Sequence, residues 1–103
     1  MSGESINEIL SVWAKRHGLC VSNSYRNQFF YVDMIDDAGG KYEISVVEDA
    51  QPGFHKVRAS SNRRRSCGFK GVGPLDLEAM LERAYLEVIK WMAQAGGSKI
   101  SAA

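Results

Sequence analysis

The side chains best suited to metal or nucleophile chemistry are His17, Cys20, His55 and Cys67, the only histidines and cysteines in the chain. Four such groups match the stoichiometry of a structural zinc site. However, neither the close cysteine pair nor the close histidine pair of zinc fingers is present, so no metal is expected. Cys67 follows a run of arginines, which would lower a thiol pKa and favour the nucleophilic thiolate. No accompanying motif orients a histidine toward it. The chain has no Gly-x-Ser-x-Gly elbow, P-loop or dinucleotide fingerprint. Gly68-Phe69-Lys70-Gly71-Val72-Gly73 is glycine-rich ahead of a helical stretch, in the manner of a phosphate cradle, but Asp76 and Glu78 at the helix start would repel phosphate. Asp33, Asp36 and Asp37 suit either a cation or a solvated turn. Together these residues imply a protein that is not an enzyme and holds no cofactor.

Charge is distributed more informatively than the net value of +1 suggests. Residues 1–50 hold four Lys/Arg against eight Asp/Glu, and residues 75–103 hold three against four. Residues 51–74 hold six Lys/Arg and no acid. Lys56, Arg58, Arg63, Arg64, Arg65 and Lys70 could grip a nucleic-acid backbone, with Phe54 and Phe69 placed among them to stack on bases. The same cations would equally fit an acidic protein surface, or be neutralised by the acidic half of the chain.

The elements that must position this segment are legible from periodicity. Leu77, Met80, Leu81, Ala84, Val88, Trp91 and Met92 recur at spacings of three and four, predicting a helix from Asp76 to Gln94. Asp76 is the expected N-cap, and Gly96-Gly97 the stop. Glu78, Glu82, Arg83, Glu87 and Lys90 mark its wet side. Ser5-Ile6-Asn7-Glu8 forms a capping box, and Ile6, Ile9, Leu10 and Trp13 continue a first helix to about His17. Gly18 and Leu19 suit a Schellman ending. Alternation then predicts strands over 19–25, 28–35, 41–48 and 54–59, with turns at Arg26-Asn27, 36–40 and 49–53. Segment 60–73 has no clear period and fits either a fifth strand or a long loop.

At 103 residues the chain is one domain, assigned to 1–97, with 98–103 expected to be a disordered tail. The fold class is α+β: a two-layer sandwich in which an antiparallel four- or five-stranded meander is flanked by an N-terminal and a C-terminal helix. No apolar run reaches the roughly 18 residues of a membrane span. Two cysteines are too few for a disulfide framework, and no basic-then-apolar leader is visible, so the expectation is cytoplasmic with free thiols. Phe29, Tyr31 and Ile35 lie opposite Phe30, Val32 and Met34 on the same strand. Two helices cover one face only, so these three residues are expected at an interface, either homodimeric or with a partner.

The helix–strands–helix order is similar to that of double-stranded RNA-binding domains. Their Lys-rich start of the second helix is here Pro74-Leu75-Asp76-Leu77-Glu78, which is acidic. Trp13, Gly18-Leu19-Cys20-Val21, Tyr31-Val32-Asp33 and Tyr42-Glu43-Ile44-Ser45-Val46 resemble the helix-then-meander layout of small bacterial immunity proteins of polymorphic toxin systems, the TriTu group. That resemblance spans about residues 13–59 and implies a non-catalytic inhibitor that binds one toxin; accessory proteins of mobile elements share the layout. The resulting expectation is a protein-binding module that takes an acidic protein partner through Lys56, Arg58, Arg63, Arg64, Arg65, Phe69 and Lys70. The alternative is a nucleic-acid-binding domain using segment 54–70.

Overall fold

The computed structural model describes residues 2–24 and 29–103. Its elements are α1 (Ser2–Arg16), β1 (Ser22–Ser24), β2 (Phe29–Asp36), β3 (Lys41–Glu48), β4 (His55–Ser61), β5 (Ser66–Val72), α2 (Leu77–Gln94) and β6 (Ile100–Ala102). The strands form one antiparallel sheet in the order β1-β2-β3-β4-β5, with β6 also paired to β2. The expected α+β meander flanked by two helices is therefore the architecture observed. The expected Arg26-Asn27 turn lies outside the described residues.

Alternation along the strands builds the core. Phe30, Val32 and Met34 of β2, Tyr42, Ile44 and Val46 of β3, and Val57 and Ala59 of β4 are all buried on one face. Against them lie Leu77, Leu81, Ala84, Val88, Trp91 and Met92 of α2, which is the apolar stripe read from the sequence apart from half-buried Met80. From α1 the core takes Ile6, Leu10, Trp13 and Ala14. The opposite face carries Phe29, Tyr31, Glu43, Ser45, Lys56 and Arg58, and among the described residues no helix lies over it.

Both helices end in Schellman turns. Gly18 N–H donates to Lys15 O and Leu19 N–H to Ala14 O; Gly96 N–H donates to Ala93 O and Gly97 N–H to Met92 O. Gly18 and Gly96 have φ of 69° and 89°, the left-handed geometry this turn requires.

Four local expectations need correction. The helix α1 starts at Ser2 and runs through Ser5, because no proline precedes the capping box to forbid helical φ/ψ. The first strand begins at Ser22, since the Leu19 N–H is already spent closing α1. Asp76 has near-helical φ −103° and ψ −3° and makes no side-chain cap bond; the turn after Pro74 already holds it through its N–H to Gly73 O. Of the two alternatives for segment 60–73, the fifth strand is the one observed: β4 continues through Ser61, and β5 follows after a tight turn. Residues 98–103, expected to be a disordered tail, instead return to the sheet. Ile100–Ala102 pairs with β2 in the register Met34↔Ala102, Ile35↔Ser101, Asp36↔Ile100. The Schellman turn reverses the chain, and the Asp37 carboxylate then captures Ser98 through its N–H at 2.8 Å and its Oγ–H at 2.7 Å.

Candidate functional site

The basic segment forms the β4–β5 hairpin, and its turn is braced on several sides. Ser61 N–H donates to Arg65 O, and Arg64 N–H to Ser61 O. The loop is thus a turn closed by a residue in left-handed conformation, a standard three-residue hairpin connection. That residue is Arg64, at φ 66°, where glycine or asparagine is the unstrained choice. The Ser61 hydroxyl accepts from the N–H groups of Arg63 and Arg65 at 3.1 and 3.2 Å. Asn62 ties the turn to the start of β3: its N–H donates to Lys41 O, and its Oδ1 accepts from Lys41 N–H at 3.1 Å.

The three successive arginines have different fates. Arg63 turns inward. Its Nη2 donates to Ala38 O at 3.2 Å and its Nη1 lies 3.8 Å from the buried Asp36 carboxylate. Asp36 also accepts from Tyr42 Oη at 2.7 Å, Gly40 N–H at 2.7 Å and Ala38 N–H at 2.8 Å. The Tyr42 hydrogen bond, opposed by burial and helped by the two amides and Arg63, holds the Asp36 carboxyl below its usual range. Burial, reinforced by Asp36, pushes the Tyr42 phenol up. This cluster has room only for glycine at position 40, where a Cβ would stand 2.6 Å from Asp36 Oδ2. Asp36 is therefore an internal anchor, neither a solvated turn residue nor a cation ligand. Arg64 and Arg65 are exposed, and among the described residues their guanidinium groups have no internal partner. Arg63 and Arg65 line a cleft of about 260 Å³ with Tyr42, Ser61, Trp91 and Gln94, at the end of α2.

The other predicted site residues separate. Lys56 and Arg58 lie on the open sheet face, two strands from Phe29 and Tyr31, in the rows Phe29–Val47–Lys56 and Tyr31–Ser45–Arg58. The Phe29 and Tyr31 rings stack on each other at 5.5 Å. A depression of about 480 Å³ on this face includes Phe29, Val47, Glu43, Lys56, Arg58 and Ser60. Glu43 tempers its positive charge; burial and neighbouring Asp33 push its carboxyl up, against the pull of Arg58. Ile35 is exposed on the same face. Lys70 is exposed and acts with Lys56 on Asp49, whose carboxylate is held low chiefly by the Gly71 N–H at 2.8 Å. Phe69 is half-buried. It lies on the helix face opposite Val57, and the Arg83 guanidinium covers its ring at 5.4 Å. The glycine-rich stretch 68–73 is the second half of β5 with its bulge, followed by Gly73, rather than a phosphate cradle.

The histidines and cysteines do not assemble. Cys20 is exposed and Cys67 half-buried, and they are unbridged. Burial, then Glu87, pushes the Cys67 thiol up, opposite to the activation expected from the neighbouring arginines. No group of three or more His, Cys, Asp or Glu among the described residues is placed to hold a metal.

One polar site was missed from the sequence. Glu82, read as wet-side, joins the two helices. Its Oε1 accepts from Trp13 Nε1–H at 3.0 Å and lies 2.9 Å from His17 Nε2. The His17 ring packs on Tyr85 with centroids 4.2 Å apart. Arg16 and Glu78 pair beside them at 2.6 Å. A buried tryptophan needs an acceptor for its N–H, and the available signal was Trp13 set on the apolar stripe of one helix with an acid on the other.

No helix among the described residues is long and apolar enough to cross a membrane. Compared with protein-family models, curated proteins and solved structures, the chain matches none of them.

Proposed function

We propose that this protein is a non-enzymatic binding module whose β4–β5 hairpin engages an acidic protein partner, in the manner of an immunity-type inhibitor. The observation that carries this reading is the turn itself. Arg64 occupies a left-handed conformation that costs roughly 1–2 kcal/mol for a non-glycine residue. The turn is held rigid by Ser61, Asn62 and Arg63 while Arg64 and Arg65 point to solvent without internal partners among the described residues. Strain of this kind persists where the surroundings over-determine it, and such residues cluster at ligand clamps. Arginine adds a planar fork matched to carboxylates, and holding it on a stiff turn lowers the ordering cost of binding.

Nucleic acid is the second reading. It is favoured by the stacked Phe29–Tyr31 pair on an open sheet with Lys56 and Arg58 in the same rows. Asp33 and Glu43 on that face weigh against it by repelling phosphate. One experiment separates the two. Wild-type protein and the Arg64→Glu/Arg65→Glu double variant serve as baits in a lysate of the source cell, and any retained protein is purified and rebound. The expected result is a protein held by wild type and released by the double variant, with an association rate that falls as salt rises. Capture that is nuclease-sensitive, with generic DNA or RNA binding steeply salt-dependent, would move the reading to nucleic acid. Binding indifferent to the double variant would overturn it.

A further inference from the structure

The two edges of the sheet are treated differently. On one side the edge is formed by two strands of three residues each, β1 beside residues 29–31 and β6 beside residues 34–36 of β2. Edge strands this short offer little to pair with. On the other side the edge is the seven-residue β5. The outer edge of β5 pairs with nothing among the described residues. Ser61 N–H donating to Arg65 O fixes the ladder phase, so alternation places the bonded pairs at Ala59/Cys67 and Val57/Phe69. The N–H and C=O groups of Ser66 and Gly68 consequently face outward. Both residues are exposed, as is Lys70. An unpaired edge of this kind is a template for an added strand.

The chemistry along the edge selects the occupant. Arg64 and Arg65 stand at one end and Lys70 about five residues away, roughly 17 Å at strand rise. No acid occurs anywhere in 51–74. A second copy of this chain pairing β5 to β5 would concentrate cations along one ladder, and like charges in register repel. The bulge before Val72, with Gly71 at φ 64°, ends the flat stretch and limits the added strand to a short one.

The geometry points to β5 as the docking edge for an extended acidic segment of the protein partner, which adds as a strand beside Ser66–Lys70 and sets its carboxylates against Arg64, Arg65 and Lys70. This rests on the acidic-partner reading above and names the mode of binding. Backbone bonds to Ser66 and Gly68 supply pairing, and the cations supply selectivity.

The probe is a synthetic peptide alternating glutamate with valine, compared with the same peptide N-methylated at alternate residues. Binding should slow amide exchange at Ser66 and Gly68, and N-methylation should weaken it by about tenfold or more because the ladder bonds are lost. Gly68→Pro removes an outward N–H while sparing the bonds to β4. A Cβ there meets only Val57 O, at 3.7 Å, and the N–H lost is on the free edge where proline is tolerated, so the variant should fold and bind about tenfold more weakly. Arg64→Glu with Arg65→Glu should also abolish binding. Equal binding of both peptides, whether or not Gly68→Pro folds, would overturn the strand-addition mode while leaving the charged turn as the binding site. Loss on N-methylation with no effect of the arginine reversal would overturn the acidic-partner reading and with it the proposal as stated.

Discussion

Replacing Glu82 by alanine tests the α1–α2 seam. The Trp13 side chain is 0% exposed, and its indole N–H has Glu82 Oε1 as acceptor at 3.0 Å. Leaving a buried donor unpaired costs about 1–3 kcal/mol. The Glu82 side chain is 41% exposed, so water can enter the vacated space, which favours the lower half of that range. Loss of the partly exposed His17 contact adds about 0.5 kcal/mol. The expected destabilisation is therefore about 2 kcal/mol, or a fall in Tm of roughly 8–16 °C for a domain of this size. Glu82→Gln keeps an acceptor and should cost about half as much. Urea unfolding followed by circular dichroism gives the free energies. A cycle with Trp13→Phe should show coupling of about 1 kcal/mol, because the phenyl ring has no N–H to lose. Burial raises the Glu82 carboxyl, but the hydrogen bonds from His17 and Trp13 outweigh it and leave its pKa below the usual range. The contribution is thus fully present above the unfolded carboxyl pKa, about 4.3, and is lost as pH falls through the lower folded value. A Glu82→Ala variant within 0.5 kcal/mol of wild type, with unchanged dependence on urea, would refute the assignment of Glu82 as the acceptor that matters.

Gly40→Ala should destabilise by about 1–3 kcal/mol through overpacking against Asp36, Tyr42 and Arg63, measurable in the same urea titration. Arg64→Gly should relieve the left-handed strain and stabilise by about 1 kcal/mol, raising Tm by roughly 4–8 °C in a thermal melt. Asp37→Ala should remove hydrogen-exchange protection from β6 while leaving the β3–β4 ladder protected, because Asp37 holds Ser98 and Lys99 and takes no part in that ladder. Asp36 and Asp37 have lowered folded pKa values, so an acid titration should show stability falling below about pH 4. Glu43 has a raised one, so its ionisation opposes folding, and Glu43→Gln should be more stable than wild type at neutral pH.

The fold was legible wherever one residue type had one physical use. The α2 stripe, the Tyr42–Ile44–Val46 alternation and the Gly18-Leu19 ending each followed from local periodicity or backbone conformation. Interactions that join distant segments were not legible. Asp36 reads locally as a turn residue; it is buried because Tyr42 from β3 and Arg63 from the β4–β5 turn converge on it. Ser98 to Ala103 has tail-like composition, and it is ordered by a carboxylate sixty-one residues earlier. Within the basic run, type and spacing could not separate Arg63 from Arg64. The distinction depends on which residue of the turn is left-handed, and arginine in place of glycine hid the turn. Phe69 likewise looked available until its strand register placed it under Arg83.

The adjacent residues Asp36 and Asp37 face different parts of the chain. One receives Arg63 from the hairpin turn, and the other grips Ser98 and Lys99 ahead of β6. Two elements far apart in sequence thus share one short, stiff support. A shared support of this kind predicts that ordering one element favours ordering the other, and linkage between two sites is reciprocal. Any ligand that tightens the Arg63–Arg65 turn should slow the opening of β6. Conversely, weakening β6 should lower the affinity measured at the turn by the same factor. The closing strand of the sheet would then report on events at the hairpin without touching the ligand.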